Sequence, residues 1–268
     1  MQTDHRPGIR HRPPPRTLLV PAALGVLLFV LPLVGLLQRT PWSSLFDELG
    51  TSSARTALRL SLVCSICATV IALVLGVPLA WVLARVDFAG RRLVRALVLL
   101  PMVLPPVVGG VALLLAFGRR GFAGQWLDQW FGIRLPFTTA GAILAETFVA
   151  MPFLVITVEA ALRGMDRRYE DAAATLGAGR LAVFRRVTLP LIWPSLIAGT
   201  ALCWARALGE FGATITFAGN LEGKTQTMPL AVYIALQDQP ETAIALSVVL
   251  LVVALTVLVT LRERWWPA

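Results

Sequence analysis

Apolar stretches long enough to span a bilayer recur along this chain, at about 18–37, 57–84, 94–117, 139–161, 192–217 and 241–261. Each can cross a hydrocarbon core of ~30 Å as a helix rising about 1.5 Å per residue. Backbone groups find no water in lipid, so a spanning segment must satisfy them internally, as a helix or in a closed barrel. A barrel requires alternating strands of about ten residues, and the sequence contains none. The expected fold is therefore an all-α integral membrane protein with six transmembrane helices. Composition agrees, with 57% of the 268 residues hydrophobic and only 15% charged. The first stretch is too long for a signal-peptide core and lacks a small-residue cleavage site.

The net charge of +9 comes from 24 basic and 15 acidic residues, and its placement is informative. With the N-terminus inside, the tails and inner loops hold 16 of the basic residues, including Arg85, Arg91, Arg92, Arg95, Arg163, Arg167 and Arg168. The opposite side holds 7, and Arg206 lies within a span. The positive-inside rule then places both termini in the cytoplasm. Charge spread over helix ends, rather than gathered on one face, excludes a nucleic-acid partner. Residues 1–17 read as a flexible cytoplasmic tail, 18–261 as the transmembrane domain and 262–268 as a short cytoplasmic tail. In the outer loops, Trp42, Phe46, Trp126, Trp130 and Phe131 suit interfacial segments.

Metal and catalytic chemistry find little support. Cys64 and Cys67 form a C-x-x-C inside an apolar run, with no second pair and no neighbouring His, so they read as small buried residues. His5 and His11 lie in the basic tail with Asp4 as the nearest acid. Gly219 to Thr225 imitates a phosphate loop, but three residues separate its glycines where four are needed. A membrane enzyme would need a nucleophile–base pair or metal cluster. No His lies within a span, and no carboxylate pair sits at helical spacing within one.

The longest inner loop, 162–191, carries the most specific pattern. From Asp166 to Leu176 it is charged and helix-prone, with Tyr169, Ala172, Ala173 and Leu176 at helical spacing, so one face is apolar. Gly177 and Gly179 can end this helix in a left-handed conformation. Pro190 and Pro194 mark entry to the fifth span. Such a helix could lie on lipid, fit a groove on another protein, or simply connect two spans.

Asp171-Ala172-Ala173, Gly177 and Val187-Thr188-Leu189-Pro190 follow the spacing E-A-A-x3-G-x9-I-x-L-P. The loop resembles that of permeases in binding-protein-dependent ABC importers, with Asp for Glu and Val for Ile as mild departures. The resemblance covers roughly 55–261 and implies the type I importer (MetI-like) fold. In that family the loop is a coupling helix seated in a cleft of a cytoplasmic ATPase. The residues so assigned to ATPase coupling are Tyr169, Glu170, Asp171, Ala172, Ala173, Leu176, Gly177, Leu189 and Pro190.

The fifth span holds Arg206 and Glu210, one turn apart and able to pair. Charges within a span are costly and face a cavity or a partner, so the pair either fixes packing or lies near a gate. Ala201, Ala205, Gly209 and Ala213 recur every four residues, as in a helix-packing seam. Thr214, Thr216 and Asn220 then offer uncharged hydrogen-bonding groups that could line an anion path without trapping the ion. In the third span, Pro101, Pro105 and Pro106 followed by Gly109 and Gly110 mark an interruption, read either as a kink or as a cavity-lining break. Glu146 and Pro152 in the fourth span carry the same two readings.

The run ARALGEFGATI (205–215) resembles the permeases for molybdate and sulfate, and FAGN with GKTQTMPLAVY (223–233) is most similar to the molybdate branch. This implies a channel-forming subunit of an ATP-driven importer for molybdate or tungstate, working by alternating access. A sulfate or thiosulfate permease is the alternative. The resemblance also implies a homodimer of this chain in the bacterial inner membrane. It implies two ATPase subunits carrying ATP and Mg, and an extracytoplasmic oxyanion-binding protein. The chain itself would bind no cofactor or metal and perform no bond chemistry. A gradient-driven transporter with Glu146 or Glu210 as proton carrier would be favoured by an inverted repeat, which the sequence does not show.

Overall fold

A computed structural model describes residues 16–265, so most of the 1–17 tail, with His5 and His11, and the end of 262–268 lie outside the described residues. The described chain is helical throughout, without strands. Its elements are α1 (Arg16–Gln38), α2 (Leu45–Gly50), α3 (Ser52–Arg85), α4 (Arg91–Val103), α5 (Pro106–Phe117), α6 (Gly124–Phe131), α7 (Thr139–Gly164), α8 (Arg168–Thr175), α9 (Arg180–Val183), a π-helical turn (Phe184–Thr188), α10 (Leu189–Leu208), α11 (Gly212–Phe217), α12 (Met228–Asp238) and α13 (Pro240–Trp265).

Among the described residues, five stretches are long and apolar enough to span a membrane: Thr17–Gln38 of α1, α3, α7, the continuous run Arg180–Leu208, and Pro240–Val257 of α13. The third expected span is divided, with Leu104 extended between α4 and α5. Pro105 and Pro106 supply no N–H and push the preceding residue out of the helical region. The fifth span, expected to run unbroken over 192–217, instead ends at Leu208 and resumes as α11.

The core is a three-helix packing of α3, α7 and α10. Ala68, Ala72, Ala80, Leu83, Leu154, Val158, Ile192, Cys203 and Ala207 are all buried in it. Lipid tails are as apolar as leucine, so such helices gain most from close backbone approach at small residues. Gly76 of α3 shows this, because a Cβ there would sit 3.2 Å from Val155 Cγ2 and 3.3 Å from Met151 Cγ. At Gly199 of α10 a Cβ would lie 3.1 Å from Thr157 Cβ. The seam expected along Ala201, Ala205, Gly209 and Ala213 is therefore displaced. Ala201 and Ala213 are buried as expected, but Ala205 and Gly209 between them are exposed, and the packed line is Gly199, Cys203 and Ala207. Both lines have the same spacing, and only the position of the neighbours distinguishes them.

A second cluster joins α3 to α12 and α13 through Ala54, Ala57, Met228, Ala231 and Leu246. Helix α1 buries none of its apolar window and touches the rest of the chain chiefly at α13. The 34 residues of α3 give a length of about 51 Å. That exceeds a ~30 Å hydrocarbon core, a surplus that tilt or projection beyond the core must absorb.

Candidate functional site

The loop after α7 folds into the short helix the sequence predicts. The Asp166 carboxylate accepts from the Arg168 N–H at 2.9 Å, and Glu170 and Asp171 occupy the first turn of α8, where negative charge is favoured. At the other end the Ala178 N–H donates to Ala173 O (3.1 Å) and the Gly177 N–H to Ala174 O (3.0 Å). This is the paired bonding of a left-handed helix stop, and Gly177 has φ of +86°. Gly179 differs from expectation. Its φ is −67°, and it opens α9 rather than closing α8.

The apolar side of α8 faces outward. Tyr169 is 59% exposed and Leu176 is 89% exposed, with Ala172 and Asp171 exposed and Ala173 half-buried. Glu170 turns inward, 3.2 Å from Arg85 Nη2 at the end of α3. It also accepts from Thr188 Oγ1 at 2.6 Å. Leu189 is half-buried and Pro190 exposed at the start of α10. The Leu189 N–H reaches back to Phe184 O. That widened turn accommodates Pro190, which has no N–H to give and whose ring would crowd a regular helix.

A second arrangement joins the two broken spans. A Cβ on Gly110 of α5 would lie 2.7 Å from Thr216 Cβ and 2.9 Å from Ala213 O. One on Gly212 of α11 would lie 2.8 Å from Pro106 Cβ. The helices α5 and α11 therefore cross almost backbone to backbone. The break in the fifth span lies at this crossing. Glu210, 1% exposed, turns its Oε1 back to accept from the Ala213 N–H at 2.8 Å, capping α11. Its other oxygen lies 2.6 Å from Arg206 Nη1. The expected pair thus forms, and Glu210 also satisfies a helix start left open by the break.

The candidate path residues lie on α11 and just after it. Thr214 is fully buried and its hydroxyl finds no partner among the described residues. Thr216 is half-buried and donates to Gly212 O at 2.7 Å. Asn220 is half-buried, with an unpartnered Oδ1. The structure also brings together two groups the sequence could not connect. Glu146 of α7, 1% exposed, lies within Coulombic reach of Glu210 and Cys64. No two carboxylates sit at helical spacing within a single span, but the fold brings Glu146 and Glu210 within electrostatic range across two.

Among the described residues no cluster of His, Cys, Asp or Glu is arranged to hold a metal. The phosphate-loop imitation closes on itself, because the buried Thr225 hydroxyl accepts from the Leu221 N–H at 2.8 Å. Its role is to fold the loop before α12. The Thr139 hydroxyl bonds Lys224 O, and the Ser61 hydroxyl accepts from the Met228 N–H.

Residues 72–265 match the binding-protein-dependent transport system inner membrane component. The chain belongs to that family. It is 47% identical over 250 residues to the molybdenum transport system permease protein ModB of Mycobacterium tuberculosis, covering 93% of this chain and 94% of the relative. It is 40% identical over 229 residues to the sulfate transport system permease protein CysT of Salmonella typhimurium, covering 84% and 82%. Among solved structures it is similar to a bacterial ABC transporter involved in import of the acidic polysaccharide alginate. That match has a TM-score of 0.75 at 20% identity and covers 92% of this chain and 93% of that one. The architecture is therefore that of an ABC importer permease, the MetI-like fold, and the chain is a multi-pass membrane protein.

Proposed function

We propose that this chain is the molybdate-conducting permease subunit of an ATP-driven importer. The observation that carries the transport reading is α8, a capped helix whose Tyr169 and Leu176 face outward at the E-A-A-type loop. An apolar face left open on a charged loop suits a groove on a protein partner. The ATPase is that partner, and it supplies the nucleotide chemistry that this chain lacks. Two copies of the chain would enclose the pathway, and a binding protein would deliver the anion on the side opposite α8. Both termini lie with α8 in the cytoplasm, as the distribution of basic residues supports. ATP-driven closure of the motors then rocks the spans between two states. Molybdate is favoured over sulfate because identity to the molybdenum permease is higher and extends over more of the chain.

The test is uptake of labelled molybdate by proteoliposomes holding the permease, its ATPase and the binding protein. Uptake is expected to require ATP, to fall by about half with equimolar tungstate, and to need a large excess of sulfate for inhibition. Sulfate competing better than tungstate would select the sulfate reading. Uptake driven by a proton gradient without the ATPase would overturn both.

A further inference from the structure

The contacts of Glu170 separate it from the rest of α8. Tyr169, Asp171, Ala172 and Leu176 are exposed, whereas the Glu170 side chain is 18% exposed and points to the spans. Among the described residues it provides the only side-chain hydrogen bond or ion pair from α8 to another element. It makes two such links, to different spans. One carboxylate oxygen meets Arg85, the last residue of α3, at 3.2 Å. The other accepts from Thr188, the last residue of the π-helical turn that leads directly into α10.

Each partner depends on Glu170. Arg85 is 8% exposed, and Glu170 is its only carboxylate within ion-pair distance among the described residues. Among the described residues neither its Nε nor its Nη2 has a hydrogen-bond partner, so the contact with Glu170 is an ion pair alone, and a nearly buried guanidinium relies on this carboxylate for its counter-charge. Thr188 is 1% exposed and donates only to Glu170. The π-helical turn sets Thr188 in place, since the regular ladder is interrupted there, and such turns recur at functional sites. Nearby, Glu159 of α7 pairs with Arg95 of α4 and Arg163, and Arg95 also reaches Leu83 O of α3. The ends of α3, α4 and α7 are thus already tied to one another. Glu170 joins α8 to that group.

We infer that Arg85, Glu170 and Thr188 form a brace that makes α8 move α3 and α10 as one, so that Glu170 is a positioning residue for transport and not a contact for the ATPase. The inference rests on reading α8 as the ATPase-docking helix. Motion applied to the exposed face of α8 passes through one carboxylate into two of the three core helices. Without the brace, α8 keeps its outward face and its partner but slips against the spans. ATP is then hydrolysed with less anion moved.

The experiment uses the full complex in proteoliposomes and measures ATP hydrolysed per labelled molybdate imported, together with ATPase retained on purification. Glu170→Gln keeps an oxygen for Thr188 but loses the charge. It is expected to raise the ratio about threefold or more while retaining the ATPase. The exchange Arg85→Glu with Glu170→Arg restores the pair and should bring the ratio back toward wild type. An unchanged ratio in Glu170→Gln overturns the brace. Loss of the ATPase from Glu170→Gln, not recovered in the exchange, also overturns it by making Glu170 a docking contact. If Glu170→Gln does not accumulate, Thr188→Val decides, with a ratio raised about twofold supporting the brace and a wild-type ratio ending it. Failure of the wild-type chain to retain any ATPase is a different result, since it removes the transport reading itself.

Discussion

At the α5–α11 crossing, glycine backbones touch their neighbours and a buried carboxylate caps the broken helix. At the α8 loop, the glycine stands in open space and the apolar side chains face out. Both regions interrupt long helices, and both rest on glycine. In the first, glycine is needed for what lies beside it. In the second, it is needed only for the sign of its φ angle. The crossing is built as a fixed joint, and the loop as an arm whose attachment is polar and sparse.

The largest expected difference comes from filling the joint. Gly110→Val places atoms against Thr216 and the Ala213 carbonyl, and backbone cannot swing aside as a flexible side chain can. A cost of about 3 kcal/mol is expected, at the upper end for overpacking. Loss of folded protein in detergent by size-exclusion chromatography would show it, and wild-type yield would mean that the crossing opens readily.

Glu210→Gln comes next. The amide oxygen still caps Ala213, so the change isolates the charge and leaves Arg206 without its partner. Removing one member of a buried pair costs about 3–5 kcal/mol. Arg206 retains 27% exposure, which places the expected loss at the lower end. Normal thermal melting and normal transport would make the pair incidental to the joint.

On the arm, Gly177→Ala should cost only about 1–2 kcal/mol, the penalty for a left-handed residue with a Cβ, because nothing lies within 4 Å. Melting is expected to change little while the ATP used per anion rises. A melting loss as large as that of Gly110→Val would erase the distinction between arm and joint.

The smallest effect concerns α6, on the far side of the chain from α8. Asp128 accepts from Arg134 at 2.9 Å and Arg119 at 3.3 Å. The Arg134 hydrogen bond, with both guanidinium charges, holds this carboxyl below its ordinary value of 3.8. A depressed value stabilises the fold above the unfolded pKa, and the contribution fades as pH falls through the folded one. Fluorescence of the stacked Trp126 and Trp130 should stay constant on acidification until below about 3.8. Asp128→Asn should remove that acid transition without touching either interruption.

Much of the frame was legible in the sequence, because apolar length and the E-A-A-type spacing are local signals. Positive-inside bias and the proline cluster at 101–106 likewise require no knowledge of neighbours. The break at Gly209–Phe211 was hidden because no proline marks it and Arg206 and Glu210 keep the spacing of a continuous helix, whereas its crossing with α5 accounts for it. Glu146 and Glu210, close enough to influence each other's charge, lie 64 positions apart on two spans, beyond any periodicity within one helix. The seam was misplaced for the same reason. Periodicity identifies faces, whereas packing selects among them. Glu170 sat inside a motif that marked the whole loop as a partner surface, so its inward direction had no separate signature.

The wide turn at Phe184–Thr188 has an evolutionary consequence. A lineage losing one residue there would gain a regular ladder, yet everything upstream would rotate by about 100° relative to the span that follows. Thr188 would no longer meet Glu170, although no amino acid at either position had changed. This stretch is therefore constrained in how many residues it holds as well as in which ones. Insertions and deletions there should be rarer among descendants than point substitutions.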